Sequence, residues 1–488
     1  MRGEFQGWRR AVVLAALGLI VAAGTAEANT PLTRVSSDPY QNPTSQHATE
    51  VEPDTFADHG TVVSAFQVGR FFNGGASDIG VVRSGDGGAT WDAPGFLHDT
   101  FNSGNASSPY ERVSDASIAY DAAHGVWIVS SIPLLPNTNV PTVLFNRSTD
   151  DGRTWGPAIS MPPPVSNSIS LDKNWTACDN HRSSPFYGHC YTELDNFGDG
   201  DLELMSTSTD GGLTWSVPIR TGGNDKGLGG QPVVQPSGRV VVPFESLNGT
   251  ISAFHSDNGG ASWSRGFKIS GIRFHRVAGD LRTSPLPTAE IAGDGTIYVA
   301  WEDCRFRKNC PANDIVFSRS SDGVSWTDPA RVPIDPVTSS VDHFIPGLAV
   351  DLTTSAASTH LALTYYFYPS ANCGSACRLE VGYISSPDGG AHWGDARQLA
   401  GPMGLSQIAN TSQGPMTGDY ISTSFSGGMA TTLFPVGRDA TTAAFNEAMY
   451  SPGRLSIASA AQATHTASTT GTYGAIGTGE THHALKND

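Results

Sequence analysis

The feature that most restricts what this 488-residue chain can fold into is a short turn motif written six times. Ser84-Gly85-Asp86-Gly87-Gly88-Ala89-Thr90-Trp91 is the first copy, Ser148 to Trp155 the second and Ser208 to Trp215 the third. Ser256 to Trp263 carries Asn258 in place of the Asp, Ser320 to Trp326 has lost one residue, and Ser386 to Trp393 ends the series. The tryptophans lie 64, 60, 48, 63 and 67 residues apart, the kind of period that marks a repeat architecture. In each copy the Asp or Asn can accept backbone N–H groups of a hairpin turn, and the glycines supply the positive φ it needs. The Trp then opens the next strand and can bury its face against a neighbouring unit. Strand-like runs precede the turns: Arg239 to Phe244, Ile251 to Phe254, Thr296 to Trp301, and Ile315 to Phe317. A four-stranded unit repeating about every 60 residues is a propeller blade. Tyr420 to Phe425 and Met429 to Phe434 add strands of a unit without the turn motif. The expected fold is therefore all-β, a single β-propeller of four-stranded blades, seven in number, with six as the alternative.

Composition suits that fold, since 55 glycines and 31 prolines serve many tight turns and charged residues make up only 15%. A net charge of −17 opposes nucleic acid and anionic membranes as partners, and a monomer is expected. Arg2, Arg9 and Arg10, the apolar run Ala11 to Ala23 and the Ala26-Glu27-Ala28 pattern read as a secretory signal over residues 1–28, cleaved near Ala28. Residues 29–45 form a lead-in, 46–451 the propeller, and 452–488 a Ser/Thr/Ala/Gly-rich flexible tail. The six cysteines form sequence-local pairs, Cys178 with Cys190, Cys304 with Cys310 and Cys373 with Cys377, which suit disulfides in an oxidising compartment. Metal ligation is the competing reading, but no CxxC or HExxH spacing supports it.

The repeated turns resemble those of the Asp-box, or bacterial-neuraminidase-repeat, superfamily, whose best-known members are sialidases; the resemblance covers roughly residues 45–450. It implies that the boxes sit on outer hairpins, away from the ligand-binding mouth. Residue by residue, Asp78 takes the place of the general acid, Tyr420 that of a nucleophile, and Glu290 that of its activating base. Arg305 or Arg307 follows Glu290 at comparable spacing. The family's opening Arg-Ile-Pro is absent, since Glu50-Val51-Glu52-Pro53-Asp54 stands there. Arg70 is then either a displaced substitute or solvent-facing, and no third arginine stands near His343. A sialate carboxylate would lack its bidentate clamps.

Residues opening the blades should line the mouth: Glu52, Ser114, Asp115, Asp172, Lys173, Trp175, Gln231, Thr288, His343, Asp419 and Tyr420. Each has a plain alternative, a polar group satisfied by loop backbone or a packed aromatic. Arg305, Arg307 and Lys308 can form a basic knob or a solvated loop, and Asp195, Asp199, Asp201 and Glu203 could bind Ca²⁺ without matching an EF-hand. No other cofactor is expected. Two functions follow: a secreted glycoside hydrolase acting on extracellular glycans through carboxylates and a Tyr, or a non-catalytic propeller binding a glycan or protein.

Overall fold

The computed structural model describes residues 30–440 and 444–470; the expected signal and residues 471–488 lie outside the described residues. The described chain is all-β, its only helices being short 3₁₀ turns. Antiparallel strand groups, each called a sheet, follow one another; single pairs, Ala76 with Val113 and Thr49 with Glu447, the latter parallel, link the first group to the second and to the last. The first is Gln46–Asp58, Thr61–Arg70, Ala76–Ser84 and Gly95–Phe96, hydrogen-bonded in that order. The next five repeat the pattern, their inner strands beginning at Arg112, Leu171, Gly227, Thr288 and Asp342. The seventh, Ser422–Ser426, Met429–Gly437 and Glu447–Ser451, takes its outer strand from the start of the chain, where Thr33 pairs with Ser451 and Arg34 with Tyr450.

Each sheet is covered on both faces, which is why its middle strands are continuous buried runs with no polar side. Thr61–Arg70 is buried at every position, and so is Val240–Ser246. The apolar side chains collect into seven clusters among the described residues, one between each sheet and the next. Phe66, Val68, Leu433 and Met449 fill the space between the first and the seventh. The inner strands touch in the same cyclic order, Ser422–Ser426 meeting Gln46–Asp58.

The repeated turns join the third strand to the fourth in six sheets. In the second sheet Asp150 Oδ1 accepts from Thr154 N at 2.9 Å and Oδ2 from Thr154 Oγ1 at 2.6 Å, while Ser148 Oγ accepts from Gly152 N at 3.0 Å. Gly152 has φ 76°, and a Cβ there would stand 2.8 Å from Val63 Cγ2 of the preceding sheet. The tryptophans pack the same way, Trp215 stacking on Phe145 of the preceding sheet at 3.8 Å between ring centres. Strand direction puts these turns on the face opposite the start of the inner strands.

All three expected disulfides form. The C-terminal expectation needs correction for residues 452–470. They run along the outer rims of the last sheets, with Leu455 exchanging backbone hydrogen bonds with Ala430, His465 pairing with Trp393, and Arg331 N donating to Ser468 O. A low-complexity segment holds its place here because it covers backbone groups that the sheet edges leave unpaired. No helix among the described residues is long and apolar enough to cross a membrane.

Asp150→Ala should lower the urea stability of the folded protein by about 1–2 kcal/mol through the loss of these charge-assisted bonds. The hydrogen bonds from Thr90 and Thr154 hold Asp86 and Asp150 down at about 2. Their contribution is therefore complete above the ordinary carboxyl value near pH ~4 and fades as pH falls toward 2. A variant as stable as the parent at neutral pH would refute the assignment.

Candidate functional site

Four inner strands slip register near their start, between Val51 and Asp54, Ser114 and Ser117, Asp172 and Trp175, and Phe344 and Gly347. At each slip a non-glycine residue adopts a left-handed backbone: Glu52 (φ 56°), Asp115 (49°), Lys173 (49°) and Ile345 (48°). A conformation this unfavourable costs about 1–2 kcal/mol per residue and recurs where side chains must be aimed. Three of the four are charged, and they meet.

Lys173 Nζ donates to Asp115 Oδ1 at 3.1 Å and forms a very short ion pair with Asp419 Oδ2. Arg282 grips the same carboxylate with two parallel bonds, Nε to Oδ1 at 2.9 Å and Nη2 to Oδ2 at 2.6 Å. Glu52 Oε1 accepts from Asp419 N at 3.0 Å, and its other oxygen accepts from Gln67, which in turn accepts from Arg70 Nη1 at 3.3 Å. The contact between the first and seventh sheets is close enough that Gly418 (φ 132°) has no room for a side chain, a Cβ falling 2.9 Å from Glu52 Cγ. Burial alone would raise Asp419, but the charges of Arg282 and Lys173 overcome it and hold its carboxyl well below the usual range. Burial, with Asp115 next, pushes the carboxyls of Glu52 and Asp172 up to about 7.

Beside this network lie two small adjoining cavities, the lobes of the central pocket, which share Asp115 and Lys173 in their walls. One lobe is walled by Trp175, Tyr420, Gln231 and Thr288, the other by Glu52, Arg70, Asp172 and Arg282. Trp175 and Tyr420 meet edge to face, 5.1 Å between ring centres. The inner ends of all seven sheets contribute to its wall, Pro346 for the sixth.

The structure thus brings together Glu52, Arg70, Asp172, Lys173, Trp175, Asp419 and Tyr420 of the expected site. Arg70 is buried here, not solvent-facing. Asp78 does not border the pocket: it is enclosed in the first sheet, where it accepts from the Tyr40 hydroxyl and from His98 N at 2.9 Å. Glu290 does not border it either; burial, followed by the charge of Asp54, holds its carboxyl well above the ordinary value. The Tyr420 hydroxyl donates to Ala116 O at 3.1 Å, and burial followed by the charge of Glu52 pushes its phenol well above 10.

Arg305 bonds Asp303 and Ser270, and Arg307 is buried against Asp314 and Asp335, so neither forms an exposed knob. His343 packs against Tyr365 with its ring driven down to about 4 by burial. With Asp314 and Asp335 it makes the one group of metal-ligating types compact enough for an ion among the described residues, but Arg307 and Arg331 already pair with those carboxylates. Asp195 and Glu203 are cross-strand neighbours; Asp199 and Asp201 lie in the turn between them. Arg282 was missed, because it sits on the long connection between the fourth and fifth sheets, where no periodicity marks it.

No protein-family model matches the sequence, and no curated protein does at a significant level. Among solved structures, an ulvan lyase described as a new family of polysaccharide lyase aligns over 87% of this chain and 97% of its own, at 10% identity and TM-score 0.50. A protein of unknown function from Dyadobacter fermentans aligns over 73% of this chain and 99% of its own, at 16% identity and TM-score 0.47. The NanB sialidase from Streptococcus pneumoniae aligns over 88% and 71%, at 14% identity and TM-score 0.45. At such identity the likeness to the lyase concerns the fold alone.

Asp419→Ala strands two buried cations and should cost about 3–5 kcal/mol, read as a lower denaturation midpoint. Glu52 and Asp172 act oppositely with pH. Their folded values stand above the unfolded value near ~4, so the stability they contribute is present below pH ~4 and lost as pH rises through 7. Asp172→Asn should flatten that decline between pH 5 and 8, roughly by its own share. An unchanged slope would show that Asp172 does not titrate in that range.

Proposed function

We propose that the seven sheets are the blades of one exported Asp-box propeller, and that the protein is directed at extracellular glycans bound in the central pocket. The observation that carries this reading is the pairing of Trp175 and Tyr420 with polar groups from six of the seven sheets. Aromatic faces take the C–H side of a sugar ring, and carboxylates, amides and hydroxyls around them fix its hydroxyls. The three disulfides agree with an exported protein.

Glycoside hydrolysis needs two carboxyl groups, one of them able to hold a proton near working pH. Glu52 and Asp172 answer that need within the pocket. Of the three residues assigned by resemblance, Tyr420 alone borders it. Binding without turnover is the second reading, favoured by one arrangement: the Tyr420 hydroxyl is bonded to Ala116 O, and Lys173 and Arg282 are both already engaged by carboxylates.

A glycan array followed by incubation with its hits, watched for released sugar, tests both readings. Trp175→Ala should weaken every hit about tenfold, the value of a lost stacking contact. Turnover abolished in Glu52→Gln with binding retained would carry the hydrolase. Hits indifferent to Trp175→Ala would remove the pocket from consideration.

A further inference from the structure

The charges facing the pocket are not balanced in the way an acidic ligand would need. Lys173 is held by Asp115 and Asp419, and Arg282 spends its Nε and Nη2 edge on Asp419. The remaining cation, Arg70, is 2% exposed, lies behind Gln67 and has Glu52, Asp419 and Asp115 as its nearest opposite charges. Among the lining residues Glu52, Asp115, Asp172 and Asp419 outnumber Arg70, Lys173 and Arg282 by one.

Asp172 is the acid left over. It is 6% exposed and lines the second lobe, yet no side chain donates a hydrogen bond to it among the described residues. The charged groups facing it are Asp115 and Arg282 from other elements, Lys173 beside it on its own strand, and Asp195 on the neighbouring strand of its own sheet. Its backbone is fixed by the slip in register that also aims Lys173, so it cannot readily turn away. A sugar hydroxyl brought to this carboxylate gains an acceptor; a sugar carboxylate or sulfate meets a like charge in a site with few solvent molecules to screen it.

We infer that the central pocket is built for an uncharged saccharide and that Asp172 is the residue that turns anionic sugars away. The inference rests on the glycan reading above and names its substrate class. Discrimination of this kind comes from a repulsive element as much as from an attractive one.

The test uses pairs of ligands that differ in a carboxylate and little else, at pH 8 where the pocket acids are ionised: the methyl ester of 3′-sialyllactose with 3′-sialyllactose, methyl-esterified with free oligogalacturonate, and array hits with their oxidised forms. Binding is measured by calorimetry on the full secreted chain. The neutral member should bind about tenfold tighter or more. Asp172→Asn should narrow that gap and Asp172→Glu should restore it, with thermal melts verifying that both variants fold. An acidic member that binds as tightly as its neutral partner in the parent protein overturns the inference but leaves the glycan reading standing, as does a gap that Asp172→Asn leaves intact. If no member of any pair binds, the glycan reading falls and takes this inference with it.

Discussion

A sheet of four short strands has two apolar faces and can bury neither by itself. Everything in this molecule follows from the solution, which is to place each sheet between two others. The buried valines of Thr61–Arg70 and Val240–Ser246 have partners only because another sheet lies on each side. The Gly-Gly turns and their tryptophans serve the same end: their left-handed backbone brings the turn flat onto the preceding sheet, as Gly152 lies on Val63 and Trp215 on Phe145. A linear row would leave two outer faces wet. Here Thr33–Arg34 joins the last sheet and the first packs against it.

Such an arrangement gathers the inner strands round a common space, and the chemistry there is the reverse of that between the sheets. Three charged residues occupy unfavourable backbone conformations, and a mutually neutralising network of Asp115, Lys173, Asp419 and Arg282 lines part of its wall. The apolar clusters hold the strands so firmly that local strain of this kind persists. Rigidity of this sort favours recognition, since a ligand then meets groups already in position.

The turn chemistry was plain in the sequence because it is local: an Asp, two glycines and a Trp within eight residues dictate their own conformation. So were the three disulfides, each closing a short loop, and the additional sheet begun near Tyr420. Glu52, Asp172, Lys173, Trp175 and Asp419 were legible because they open inner strands. Asp78 and Glu290 rested on spacing borrowed from a family, and spacing does not fix which way a strand residue faces. Arg282 reaches the centre from a connection whose path is set by contacts such as its backbone N–H to Pro415 O, far away in sequence. Residues 452–470 look featureless as letters and are ordered by strand edges contributed from elsewhere.

The pairing of Thr33 with Ser451 joins strands at opposite ends of the described chain. As the polypeptide emerges, neighbouring sheets can dock in turn, but this seam must wait until Glu447–Ser451 has appeared. Loop length adds little to the free-energy cost of that wait; its cost is in time, because distant contacts form slowly. Until the seam shuts, Phe66, Val68 and Val82 remain uncovered and available to other nascent copies. The joint between first and last sheet is thus where assembly is slowest and self-association most readily begins.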